Sequence, residues 1–175
     1  MITLPFANVA LMETNNSVAS TVRRVVTGHD TEHRAKVIAK NGNMASRAGR
    51  SGSMTQLWST SSTPATIAIG EDIPDPATES SSAIPPVSGS RFVIMDYPPG
   101  NIGTMHRTET LDYVVVLSGE IDMVMDDSTI KLRAGDTLVQ RGTNHAWHNR
   151  GIENARLAVV LVSAEPLRIG EPRTA

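Results

Sequence analysis

The chain contains no cysteine. A disulfide framework, a thiolate nucleophile and a thiolate metal site are therefore excluded, and any metal has to be held by histidine and carboxylate. An excess of one charge is lacking too. Sixteen Lys and Arg against 18 Asp and Glu give a formal net charge of −2, which makes no electrostatic case for nucleic acid or an anionic membrane. No window approaches the roughly 20 apolar residues of a membrane span. Met1 to Glu13 has neither a basic n-region nor a long apolar run, so no signal peptide is read there. A long helical period is missing as well. What remains is the expectation of a soluble, cytoplasmic, all-β protein, one domain of 175 residues with enough chain for a core.

Three regions follow from composition. Residues 1–90 read as N-terminal strands followed by a long loop, packed on a barrel core at 91–165, with 166–175 as a C-terminal tail. Leu4, Phe6, Val9 and Leu11 suit an edge strand or docked arm. Val22–Val26 and Arg34–Ile38 suit a hairpin that carries His29 and His33 at the surface. Ser46–Ser53, rich in Gly, Ser and Arg, reads as a mobile loop, and Met54–Ser59 as a strand. Residues 60–90 hold Pro74, Pro76, Pro85 and Pro86 among Ser and Thr. That is a long surface loop, either a lid or a tolerated insertion.

From Phe92 onward the β signal is dense. Phe92–Met95, Leu111–Leu117, Ile121–Met125, Thr129–Leu132, Thr137–Gln140, His145–Asn149 and Leu157–Val162 are short strands with turn residues between them, such as Asp126–Ser128. Strands at roughly 8–12-residue spacing point to a sandwich or small barrel. Leu157–Val162 is apolar on both faces, so its outer face is expected to pack on a second subunit.

Side chains two apart on a strand share a face. His106 and Thr108 therefore point one way, and Met105 and Arg107 the other. Asp112 shares a face with Val114 and Val116, which marks it as inward. His145, Trp147 and Asn149 share a face, and His148 turns to the opposite side. Two histidines and a carboxylate converging from neighbouring strands make a metal site with open coordination positions. Glu109, on the turn after Thr108, is placed to reach the mouth as an acid or base or to stand in solvent. Trp147 is a pocket wall or plain core. Asp96 and Tyr97 suit structural roles, and Arg141 either meets a substrate carboxylate or is solvated.

The spacing of these residues resembles the two motifs of the cupin superfamily, in its small single-domain form. Gly100, His106, Asp112 and Gly119 fall on the first motif. Gly135, Gly142, His145 and Asn149 fall on the second. The likeness covers Arg91 to Ala164 and departs from the pattern at three places. Thr108 stands at the second histidine of the first motif, Asp112 at its glutamate, and Gln140 at the proline of the second. The resemblance implies a double-stranded β-helix (jelly-roll barrel) with extra N-terminal strands. It implies His106, Asp112 and His145 as ligands of a divalent ion, Zn, Fe, Mn or Ni.

Fold does not choose among the chemistries such proteins perform. The leading expectation is lyase-type chemistry (decarboxylation, dehydration or cyclisation) on a small aromatic or polyketide-like molecule. In it Thr108 or Glu109 manages a proton, and Trp147, Val114 and Val116 form an apolar wall. A non-haem iron dioxygenase and a non-catalytic binding module are the alternatives. A small-molecule substrate and a homodimer are the expected partners.

Overall fold

A computed structural model describes residues 22–40, 44–49, 52–70, 73–78 and 82–170. The arm expected at Leu4–Leu11 and the last residues of the tail lie outside them. Eleven strands are present among the described residues: β1 Val25–His29, β2 Ala35–Lys40, β3 Ser46–Gly49, β4 Gly52–Thr60, β5 Ser90–Tyr97, β6 Thr110–Ser118, β7 Glu120–Val124, β8 Thr129–Arg133, β9 Thr137–Arg141, β10 Ala146–His148 and β11 Ala155–Ser163. The one helical element among them is a 3-10 turn at Pro76–Thr78. The fold is the all-β jelly-roll that the resemblance implies.

β1 and β2 form a separate hairpin. Its turn is held by Asp30, whose Oδ1 accepts from the backbone N–H groups of Glu32 and Arg34, each at 3.0 Å. His29 and His33 are exposed, as read from the sequence. Of the two main sheets, one runs β3-β4-β5-β11-β6-β9 and the other β10-β7-β8. β3 corrects the reading of Ser46–Ser53 as a mobile loop. Ser46–Gly49 pairs antiparallel with β4, from Ser46 opposite Thr55 to Gly49 opposite Gly52. Backbone pairing needs no apolar side chain, so a Ser/Arg/Gly edge strand leaves no hydrophobic signal. The described residues between Thr60 and Ser90 are largely non-repetitive, and they are tied down where Arg24 reaches both Asp75 and the Leu57 carbonyl.

β11 lies between β5 and β6, antiparallel to both. Its inward residues Leu157, Val159 and Leu161 are buried, and with Val93, Val114, Val116, Ile121 and Met123 they build the core. Its outward residues Ala158, Val160 and Val162 are only half-buried in the single chain. The expectation of burial on both faces is therefore not met within one subunit.

Two chain segments matter most for the site, because they zip together through bonds outside the main sheet ladders. Gly100 N–H donates to Asn149 O, Asn149 N–H to Asn101 O, and Gly103 N–H to Trp147 O. The zipper ends in a reciprocal bridge, His106 N–H to His145 O at 2.9 Å and His145 N–H to His106 O at 2.8 Å. Gly103 makes the approach possible, since a Cβ there would lie 2.8 Å from Trp147 O. Asn149 locks the far end. Its side-chain nitrogen donates to Tyr97 O and Glu153 O, and its Oδ1 accepts from Gly151 N–H.

Candidate active site

The backbone bridge sets His106 directly opposite His145. Their rings follow, with centroids 4.4 Å apart. Each imidazole turns its Nδ1 back to a carbonyl two residues earlier: His106 to Thr104 O at 2.9 Å, His145 to Thr143 O at 3.0 Å. A ring nitrogen that donates to a carbonyl leaves the other nitrogen, Nε2, bare for a ligand or a proton. His145 is buried, and burial pushes its pKa down to about 4. It is neutral at pH 7.

Asp112 sits on the inward face of β6, between Thr110 and Val114 in the alternation of that strand. Burial pushes its carboxyl up to about 6, against the opposing pulls of a Thr110 hydrogen bond and the charge of His106. Its Oδ1 is buried with no hydrogen-bond partner. Thr110 in turn meets Thr108, hydroxyl to hydroxyl at 2.8 Å. Thr108–Thr110–Asp112 is thus a polar chain from the barrel rim inward. Thr110 carried no role in the sequence reading, although the two-residue spacing from both Thr108 and Asp112 places it on their face.

Thr108 and Glu109 line a rim cavity of about 170 Å³ with Thr110, Leu111, Arg141 and Leu167, and neither His106, Asp112 nor His145 lines it. A cavity of about this size holds roughly one benzene-sized ring. Glu109 and Arg141 are exposed there. Arg107, expected to point out, does leave the barrel interior but is buried, because the C-terminal segment crosses it and Gly170 O accepts from its guanidinium. Trp147 is buried against the His145 ring, centroid to centroid 5.8 Å in an edge contact. Tyr97, read as structural, lies 6.2 Å from Trp147, and burial raises its phenol pKa. It belongs to the same wall. Asp96 is structural as expected, bound by Arg156 and Asn154. His148 pairs opposite Asp122 and reaches Gly103 O, away from the imidazole pair.

Two imidazoles with bare Nε2 atoms and one buried carboxylate oxygen without a partner fit the donor chemistry of a divalent ion. The structure assembles the pair rather than a closed triad. Among the described residues no three His, Asp or Glu groups converge closely enough to form a metal site by themselves. Thr108 offers a hydroxyl where the motif has its second imidazole.

Comparison with known proteins shows the family. The family model described as a cupin domain matches residues 93–162. A phomopsin biosynthesis cluster protein C' of Diaporthe leptostromiformis is 48% identical over 83 residues, which are 46% of this chain and 44% of that protein. The chain thus spans less than half the length of that relative. A cupin-domain-containing oxidoreductase, fogC, of Aspergillus ruber is 31% identical over 156 residues, 86% of this chain and 76% of the relative. A cupin 2 conserved barrel domain protein from Salinispora arenicola superposes with a TM-score of 0.41 at 18% identity, over 53% of this chain and 72% of that one. No helix among the described residues is long and apolar enough to cross a membrane.

Proposed function

Because the chain belongs to the cupin superfamily, we propose that it is a metal-dependent enzyme of secondary metabolism acting on a small organic substrate, aromatic or polyketide-like, by lyase-type chemistry. The observation that carries this reading is the imidazole pair beside a buried, unpartnered carboxylate oxygen. His106, His145 and Asp112 would hold the ion. When bound, it supplies Lewis-acid polarisation of a substrate oxygen. Every other task falls to this chain's own side chains. Trp147 and Tyr97 keep water from the inner wall. Thr108, with Thr110 behind it, holds a proton at hydroxyl oxygens lining the rim cavity. Glu109, exposed at that rim, exchanges protons with solvent. In this reading the enzyme works in the cytoplasm.

A second reading, a non-haem iron oxygenase, has its own support, since the Aspergillus ruber relative is named an oxidoreductase and a two-His-one-carboxylate set suits that chemistry. Turnover of one candidate substrate with and without oxygen separates the two. Lyase chemistry predicts equal rates and release of carbon dioxide or water with no oxygen consumed. Stoichiometric oxygen uptake would replace it by the second reading.

We also propose a homodimer through the outer face of the six-stranded sheet. Val160 stands in register with Phe92 on one side and Tyr113 on the other, and Tyr113 with Val139. Phe92, Tyr113, Val115, Leu117 and Val139 are exposed in the single chain, a contiguous apolar face that a second copy would cover. Light scattering at micromolar concentration should give twice the chain mass of 18.8 kDa, and the single-chain mass would rule the dimer out.

A further inference from the structure

Gln140 is the least expected residue of the site. It is 2% exposed, and in the β6–β9 register it stands directly opposite Asp112, so the two side chains share the inner face. Its Nε2 lies 2.8 Å from His145 Nδ1 and 3.2 Å from Thr143 O, while its Oε1 is buried with no partner. His145 Nδ1 is itself 3.0 Å from Thr143 O. A carbonyl oxygen only accepts, so Nδ1 beside it carries the hydrogen. An amide nitrogen facing that N–H would set two donors against each other. Half a turn of the amide exchanges its nitrogen and oxygen, which are nearly equal in size. The acceptor then meets Nδ1–H, which is shared with Thr143 O in a three-centre bond. The amide N–H groups turn to the side where the orphaned oxygen was, and Asp112, opposite in the strand register, has its own unpartnered Oδ1. Both orphaned acceptors are then offered donors, at the cost of the amide nitrogen's 3.2 Å contact with Thr143 O.

We propose that Gln140 is a positioning residue that bridges Asp112 and His145, its amide oxygen accepting from Nδ1–H of His145 and its amide nitrogen donating to the Asp112 carboxylate. One side chain thereby fixes the tautomer of an imidazole and the orientation of a carboxylate. It does so at the place where the sequence motif has a proline, which has no side-chain donor or acceptor. His145 is held with Nε2 bare toward His106, and Asp112 is held by a donor from behind. The inference deepens the reading of the imidazole pair as the reacting centre and rests on it.

The test reads the tautomer without turnover. Two-bond proton–nitrogen correlation spectra of the labelled full chain at pH 8 should show His145 protonated at Nδ1 and bare at Nε2. Gln140→Glu keeps an acceptor for Nδ1–H and should keep that signature. Gln140→Met removes both contacts. It should give a mixture of tautomers and weaken Co²⁺ binding at least about tenfold, the order expected when a residue behind a metal ligand is lost. A wild-type His145 protonated at Nε2 overturns the proposal, and so does a folded Gln140→Met protein with unchanged tautomer and Co²⁺ affinity. If the Met variant does not fold, Gln140→Leu takes its place in both measurements. If Gln140→Met mixes the tautomers of a protein that in either form binds no Co²⁺, the bridge is upheld and the metal reading fails, so the two are distinguishable.

Discussion

His145→Ala is expected to reduce turnover at least about a thousandfold, roughly 4 kcal/mol of barrier, while leaving a folded barrel. In the proposed centre the imidazole supplies one of two bare ring nitrogens among the described residues. The site has threonine at position 108 where the motif has a further histidine, so the remaining set would be one histidine and one carboxylate. The fold should survive because the core is built by β5, β6, β7 and β11, with Leu157, Val159, Val114 and Ile121. His106→Ala should behave alike, since the bridge between the two residues is made by backbone atoms and persists without either ring. His148→Ala should keep full activity, its side chain being turned to Gly103 O. Thr108→His restores the imidazole of the motif. It should tighten metal retention and slow turnover, because it fills space beside the rim cavity that Thr108 leaves open. Activity is read as kcat/KM, with circular dichroism as the control for folding.

Metal-free protein should show two opposed pH dependences of stability that nearly cancel. The Asp112 carboxyl is raised from 3.8 to about 6 by burial. Its contribution is fully present below pH 3.8 and is lost as pH rises through about 6. The His145 imidazole is lowered from 6.5 to about 4, again by burial. Its contribution is present above pH 6.5 and is lost as pH falls through about 4. Over the shared window one term falls while the other rises. Asp112→Asn leaves the histidine term alone, so this variant should lose about 3 kcal/mol relative to wild type on acidification across the window. His145→Gln leaves the carboxylate term alone and should gain a similar amount relative to wild type. Urea unfolding in a chelating buffer at a series of pH values reads the differences. Variant profiles parallel to the wild-type curve would show that the two groups are not buried as described.

The parts of the fold that were legible in the sequence are those where side chains do the pairing. The alternation of Thr110, Asp112, Val114 and Val116 with Leu111, Tyr113, Val115 and Leu117 declares the inner face of β6, and burial follows it residue by residue. The spacing from Gly100 to Asn149 brings His106 to His145 because the two runs zip antiparallel through their backbones. What stayed hidden depends on contacts far apart in the chain. Ser46–Gly49 is a strand only because β4 offers it an edge. Arg107 is buried only because residues up to Gly170 pass over it. Gln140 reads as a missing proline until the β6–β9 register sets it opposite Asp112, and Tyr97 reads as merely structural until Trp147 lies beside it. A sequence shows which face a residue takes, but not which strand stands opposite.

A Co²⁺ titration followed by visible absorbance tests most directly whether His106 and His145 together hold the reacting centre. Wild-type protein should take up one ion per chain and develop the ligand-field bands of nitrogen and oxygen coordination. His148→Ala should reproduce that spectrum, whereas His106→Ala and His145→Ala should each abolish saturable uptake. Retention of the bands in both histidine variants, or their loss in His148→Ala, would contradict the account and move the centre away from this pair.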